Sequence, residues 1–265
     1  MSGSSEEDAA LKVDYISVGL DSNPAYAGMW NLFSQVWKLR FKVHPVCWFV
    51  GNQMELAKAN LSQTFGTVYM VDAGAAKGKC WAAPYAGLVW GPSQLGGTVM
   101  TSGIDQIPMT QEFLLLLESV PDDVFFAGFG GASSYREQDK VLGIPYYPSS
   151  HMVATHATWS TVVKPCSTLA EDVQRVLDLS PATMWENEWG TDEAFLAWQL
   201  NKSGVEVRST SGEWFDDWDR RRLCRARGDM PDKSKLWTGY YTEAHLHRPM
   251  SETPREWMDV LEVLR

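Results

Sequence analysis

A single acid, Asp105, follows the apolar run at residues 98–101 (TVMT) across a small polar turn. A carboxylate just past the carboxyl end of a buried strand is where an open α/β sheet holds a ligand. Its oxygens suit Mn²⁺ or Mg²⁺, hard cations that bridge a carboxylate and substrate phosphates. The same residue can instead cap backbone amides in a strand-to-helix turn, and the spacing leaves both readings open. A second acidic pair, Asp192 and Glu193, opens a helix beside Trp185 and Trp189. A carboxylate there can take the proton of an acceptor hydroxyl while an indole supports a flat-faced ring. Acids in a first helical turn also simply favour the helix dipole.

These groups need a scaffold, and the chain supplies strand and helix signals in alternation. Apolar runs at 15–20 (YISVGL), 45–50 (PVCWFV), 67–71 (TVYMV) and 98–101 read as buried strands. Between them, Asp21-Ser22-Asn23-Pro24 forms a sharp turn opening a helix to about residue 39, with Trp30, Phe33, Val36 and Trp37 on one face. Residues 54–63 read as an amphipathic helix, and residues 81–95 as one interrupted at Pro84 and Gly91-Pro92. Residues 74–79 read as a mobile loop, lacking the lysine-serine or lysine-threonine step of a phosphate loop. Thr110 is placed to cap a helix from about Gln111.

Such repeated alternation predicts an α/β fold with a mostly parallel sheet covered by helices on both faces. The second half is less regular. Residues 124–126 and 152–154 are strand-like, and residues 128–150 form a connection rich in glycine, serine, tyrosine and proline. Thr168 and Glu171 make a capping box for a helix whose Leu169, Val173, Val176 and Leu177 share a face. Thr191 caps the next helix, and Thr253-Pro254 opens a terminal one facing Trp257, Leu261 and Leu264 inward. Residues 1–12 are expected to be a disordered tail, and residues 13–265 one domain.

Composition narrows the classes. A hydrophobic content of 45% supports a real core. The net charge of −10 speaks against nucleic-acid binding, which draws on Lys and Arg against phosphates. Thirteen tryptophans suit sugar rings and crowded packing alike. The four cysteines lie far apart, with no C-x-x-C pair, the pattern of a reducing, cytoplasmic setting without a zinc site. No apolar run reaches membrane-spanning length. Glycines 128, 130 and 131 do not make a dinucleotide fingerprint, which removes the reason to favour a dehydrogenase or methyltransferase.

With the strands placed, four stretches resemble one family: Asp21-Ser22-Asn23-Pro24, residues 101–108 (TSGIDQIP), residues 189–196 (WGTDEAFL) and residues 240–249 (YYTEAHLHRP). In that order, from about residue 14 to 250, they resemble GT-A-type nucleotide-diphospho-sugar transferases, small soluble enzymes of large DNA viruses, algae and bacteria. The resemblance implies a GT-A-like domain with a nucleotide-sugar half at about 13–120 and a mixed acceptor half at 121–265. It implies metal-assisted transfer of a sugar from a UDP- or GDP-linked donor to a glycan hydroxyl, in the cytoplasm, host cytosol if viral.

Residue by residue, it implies that Asp105 and His245 hold the Mn²⁺ or Mg²⁺, with His247 as a substitute for His245. Asp21 and Asn23 would face the base and ribose, or cap the next helix. Arg220 would grip the diphosphate, or balance Asp216, Asp217 and Asp219. Asp192, with Glu193, is the base expected if the reaction inverts the anomeric centre. Trp185, Trp189 and His151 would line the acceptor side. The sequence departs from the family at the metal motif: the first acid of Asp-x-Asp is Gly103. That departure raises the alternative of a non-catalytic relative that binds sugar or nucleotide.

Overall fold

The computed structural model describes residues 11–128, 140–141, 144–145, 148, 150–179, 191–210, 212–224, 227–246 and 255–264. The strands in chain order are β1 (Tyr15–Leu20), β2 (His44–Val50), β3 (Thr67–Val71), β4 (Thr98–Thr101), β5 (Gln106–Pro108) and β6 (Phe125–Ala127). They continue with β7 (Lys140–Val141), β8 (Ile144–Pro145), β9 (Met152–Thr155), β10 (Val207–Ser209), β11 (Leu223–Cys224) and β12 (Glu243–His245).

Among the described residues, seven strands form a central sheet in the order β10-β6-β9-β4-β1-β2-β3. The ladders β3–β2, β2–β1, β1–β4 and β6–β10 are parallel. Only β9 runs against its two neighbours. This mostly parallel, helix-covered sheet, turning mixed in the second half, is the α/β arrangement that the strand–helix alternation predicts. Strand alternation sorts β2 between two cores: Val46, Trp48 and Val50 pack on one face, Cys47 and Phe49 on the other. Strands covered on both faces have no polar side, which is why they read as continuous apolar runs.

A second, three-stranded sheet joins β5, β11 and β12, with β11 parallel and β5 antiparallel to β12. Its register sets His245 opposite Gln106, and the Leu246 N–H donates to the Asp105 carbonyl at 2.8 Å.

Several local expectations hold. Asn23 caps its helix by accepting from the Ala25 N–H, and Thr168 and Glu171 exchange the two bonds of a capping box. Trp30, Phe33, Val36 and Trp37 are buried, as are Trp257, Leu261 and Leu264. Residues 82–94 form a chain of short helical turns, with the expected break at Gly91-Pro92 but none at Pro84, which lies inside the Ala82–Tyr85 turn.

Others change. The first helix is two pieces, Pro24–Ala27 and Trp30–Val36, followed by a wide turn that Lys42 closes at φ +60°. Thr110 caps nothing: the helix is Glu112–Leu117 behind Gln111, and Thr110 Oγ1 is buried without a hydrogen-bond partner among the described residues. Beyond β5, a strand too short to show in the sequence pattern, the Met109 and Thr110 N–H groups both donate to the Thr242 carbonyl, so tertiary pairing holds the backbone where the cap was expected. Residues 74–79 are no loose loop, because Ala76 is buried and a Cβ at Gly74 would meet Ala170 at 3.0 Å. Leu177 lies 39% exposed, at the edge of its helix's apolar face. Residues 1–10 and the cap at Thr253-Pro254 lie outside the described residues.

Candidate functional site

A cleft of about 670 Å³ opens at the carboxyl ends of β1 and β4. The end of β1 delivers Gly19, Leu20 and Asp21 to its wall, and the turn after β4 delivers Ser102 through Gln106. Parallel strands send their helices to opposite faces, so the loops between them part here and leave a crevice. Asp21, Asn23, Gly103 and Asp105 all line it, joined by Asp192, Glu193 and His245 from the second half.

Asp21 and Asn23 are tied to the backbone. The Asn23 N–H donates to Asp21 Oδ1 at 2.9 Å while the Asn23 side chain caps the helix. Both residues line the cleft while they hold the turn that opens the helix.

Asp105 is 6% exposed, and its Oδ2 lies 2.9 Å from Nε2 of His245. The other ring nitrogen, Nδ1, is 3.3 Å from Nη2 of Arg222 and 3.5 Å from Sγ of Cys224. Burial would push the His245 imidazole down. The bonds to Asp105 and Cys224 and the charge of Asp105 outweigh it, so its pKa stands above the ordinary value of 6.5.

Behind this pair, Glu243 is fully buried. It meets His151 Nε2 and Arg222 Nε, each at 2.8 Å. Burial alone would raise its carboxyl, but Arg222 first and then His151 hold it below the usual carboxylate range. Glu243 and His245 stand two apart on β12, so both side chains project to the same face.

Asp192 and Glu193 stand in the first turn of the Thr191–Ser203 helix, Asp192 at 3% exposure and Glu193 half-buried. Two remaining site expectations fall elsewhere. Arg220 ends the Gly212–Arg220 helix with a 73% exposed side chain bonded to Asp217, one turn back, and does not line the cleft. Its charge-balancing reading fits its position. His151 is buried beneath the site on Glu243 rather than on the cleft wall. Trp185, Trp189 and His247 lie outside the described residues.

The sequence reading missed Arg222, Cys224 and Arg227 on the cleft wall, and Glu243 behind it. It also missed Gln106. The Gln106 Oε1 accepts from the Gly103 N–H at 3.2 Å, and a Cβ at position 103 would stand 3.1 Å from that oxygen and 3.0 Å from Asp105 Oδ1. Gln106 thus fills the space that a side chain at position 103 would take.

The donor set can be tested against a divalent ion. Asp105 and His245 present one carboxylate and one imidazole on the cleft, and among the described residues no group of three His, Cys, Asp or Glu gathers around an ion. Mg²⁺ and Mn²⁺ are commonly held by one or two protein ligands, with substrate phosphates and water completing the shell. The pair fits such an ion and not a self-sufficient protein cage.

Among solved structures, the chain is similar to the galactosyltransferase LgtC in complex with donor and acceptor sugar analogs. Identity is 13%, coverage 93% of this chain and 99% of that one, and the TM-score 0.46. An active-site mutant of LgtC aligns at 13% identity over 88% of this chain and 86% of that one, with a TM-score of 0.46. The glycosyltransferase GlyE of Streptococcus pneumoniae TIGR4 aligns at 12% identity over 79% of this chain and 48% of that one, with a TM-score of 0.41. No known-family profile and no curated protein matches the chain. Among the described residues, no helix is long and apolar enough to cross a membrane.

Proposed function

We propose that the protein is a glycosyltransferase that moves a sugar from a UDP- or GDP-linked donor to a carbohydrate hydroxyl, with Mn²⁺ or Mg²⁺ bound. The observation that supports this reading is the meeting of Asp105 and His245. They lie 140 positions apart in sequence and 2.9 Å apart in space, on a cleft at the carboxyl ends of parallel strands. A divalent ion held by these two would supply charge neutralisation for the leaving diphosphate. Asp21 and Asn23, fixed at the end of β1, would orient the base and ribose. Asp192 would accept the acceptor proton, assisted by Glu193, if the configuration inverts. Both residues line the cleft, and Asp192 is the more buried of the two, at 3% exposure. Trp185 and Trp189, just ahead of that helix, would support the acceptor ring. A cytoplasmic setting is part of the proposal and rests on the cysteine pattern.

Titrating UDP and GDP, with and without Mn²⁺, against thermal unfolding tests the reading, because a native-state ligand raises stability by mass action. Metal-dependent stabilisation together with slow hydrolysis of the matching nucleotide-sugar is the expected result. No response to either nucleotide would sink it. A second reading, a binding protein without turnover, draws on Gly103, where Gln106 and Asp105 crowd the space of the missing acid. It expects stabilisation with no hydrolysis.

A further inference from the structure

We infer that the protein carries a separate carbohydrate site, a groove at the amino ends of β1, β2 and β3 that takes an uncharged sugar ring of a longer glycan. Its residues are none of those that line the cleft, so a sugar can bind here whatever the cleft transfers.

The groove measures about 550 Å³, within the range of small-molecule sites. The first residues of three neighbouring strands line it, Tyr15, His44 and Thr67, followed by Val46 and Tyr69 two positions on, which share their strands' faces. Register pairs Tyr15 with His44 and Val46 with Thr67, so the lining is continuous from strand to strand. The turn at residues 95–97, ahead of β4, also lines it. The cleft stands at the carboxyl end of β1, so six residues, or roughly 20 Å of strand, lie between the two.

Tyr69 supplies an aromatic surface. Its ring rests on Trp48, with centroids 4.9 Å apart and planes at 25°, and the residue stays 45% exposed. A tyrosine already held by stacking offers contact to the C–H face of a sugar at little cost in side-chain freedom.

The polar groups beside it are set for a ligand that both donates and accepts. Lys38 Nζ lies 3.4 Å from His44 Nδ1, and an ammonium only donates. Nδ1 is therefore the acceptor, and the ring proton sits on Nε2, which donates to Thr67 Oγ1 at 2.9 Å. Burial and then Lys38 lower the His44 pKa, which favours the same neutral ring. With its oxygen accepting from His44, Thr67 keeps its own O–H for a ligand. Asp14 is the converse: Oδ2 accepts the Thr98 N–H at 2.9 Å, and Oδ1 has no partner among the described residues. One donor and one acceptor beside an aromatic ring match a sugar, whose hydroxyls do both. The Asp14 carboxylate on the wall opposes a phosphate, and the Lys38 ammonium on His44 opposes an organic cation.

The test is amide NMR of the deuterated, nitrogen-labelled protein titrated with cellohexaose, maltohexaose, xylohexaose and chitohexaose, with tetramethylammonium and inorganic phosphate as controls. The amides of Thr67, Tyr69, Gly96 and Gly97 report the groove, and those of Ser102 and Gly103 the cleft. At least one oligosaccharide should shift the groove amides, and neither control should. Tyr69→Leu keeps apolar cover on Trp48 and should weaken that sugar about 10-fold, the scale of one aromatic contact. Thr67→Val should weaken it about 5-fold, one neutral hydrogen bond, and Thr67→Ser should bind as wild type does. Sugar shifts confined to the cleft, or none at all, overturn the inference. Groove shifts with either control overturn the assignment to an uncharged sugar. Wild-type affinity in Tyr69→Leu or in Thr67→Val overturns the site as described, and a loss that Thr67→Ser shares overturns the role of the hydroxyl. Nucleotide binding is read at the cleft amides, so failure of the nucleotide-sugar reading and failure of this one are distinguishable.

Discussion

Asp105 Oδ2 and His245 Nε2 meet at 2.9 Å because an antiparallel pairing sets His245 directly opposite Gln106. The contact joins the turn after β4 to a strand near the end of the described chain, and it stands on the wall of the cleft. Asp105→Ala removes the only carboxylate of the pair. We expect it to abolish the metal-dependent part of nucleotide stabilisation while the far-ultraviolet spectrum stays as in wild type. Calorimetry with UDP or GDP in Mn²⁺ reads it directly. Unchanged metal dependence would place the ion elsewhere.

The midpoints of His44 and His245 should lie on opposite sides of the ordinary imidazole value. For His44, burial and then Lys38 depress the imidazole below 6.5. A depressed folded value means the neutral form is favoured in the native state. Its contribution is complete above the ordinary value and lost as pH falls through the folded one. For His245 the folded value is raised. Its contribution is complete below the ordinary value and lost as pH rises through the folded one. Proton–nitrogen NMR of the metal-free protein should put the His44 midpoint below about 6.5 and the His245 midpoint above it. Coincident midpoints would contradict both environments.

The roles of Asp192 and Glu193 separate by burial, since Asp192 is 3% exposed and Glu193 half-buried. For a transferring enzyme, Asp192→Asn should lower kcat by roughly 100- to 10,000-fold, the range of a lost general base. Donor KM should stay near wild type, because the base touches the acceptor. Glu193→Gln should cost far less. Steady-state kinetics with the donor found by screening decides it, and an Asp192→Asn enzyme of full activity would exclude Asp192 as the base.

The parts of this molecule legible in its sequence are the ones governed by local patterning. The strands β1 to β4 are continuous apolar runs ended by polar turns, and Asn23 and Thr168 sit where caps belong. Asp105 was readable for the same reason, as an acid at a strand end. Its partner was reached only through the family resemblance, because no local rule registers β12 against β5. Arg222 was hidden among neighbours of its own type. One helix ends at Arg220 and β11 begins at Leu223, so a two-residue turn decides which of Arg220, Arg221 and Arg222 reaches the cleft. Glu243 was hidden by its chemistry, since an acid in a short strand reads as solvated unless the buried Arg222 and His151 are known to face it. Thr110 failed in the opposite sense: it has the residue type of a cap, and tertiary pairing holds its backbone N–H on the Thr242 carbonyl instead.

The cleft's inner wall depends on two glycines that allow β1 and the helical turn at Ala86–Trp90 to touch. A Cβ on Gly19 would lie 1.7 Å from the Ala83 carbonyl oxygen, and one on Gly87 would lie 1.8 Å from the Gly19 nitrogen. Neither contact is with a flexible side-chain tip, so backbone must move to relieve it. The approach is pinned from both sides: Ser17 Oγ donates to the Gly87 carbonyl at 2.5 Å, and the Trp48 indole donates to Ser17 Oγ at 3.1 Å. Gly19→Ala should therefore destabilise by about 3 kcal/mol or more, at the top of the usual range for overpacking. Gly87→Ala should cost a similar amount, and the two together less than their sum, because either one already parts the same surfaces. Gly96→Ala is the control, with nothing within 4 Å of its Cβ. Urea unfolding of the three single variants measures these differences. A Gly19→Ala protein as stable as the control would mean that strand and helix do not approach as described, and the cleft wall carrying Gly19, Leu20 and Ala83 would have to be redrawn.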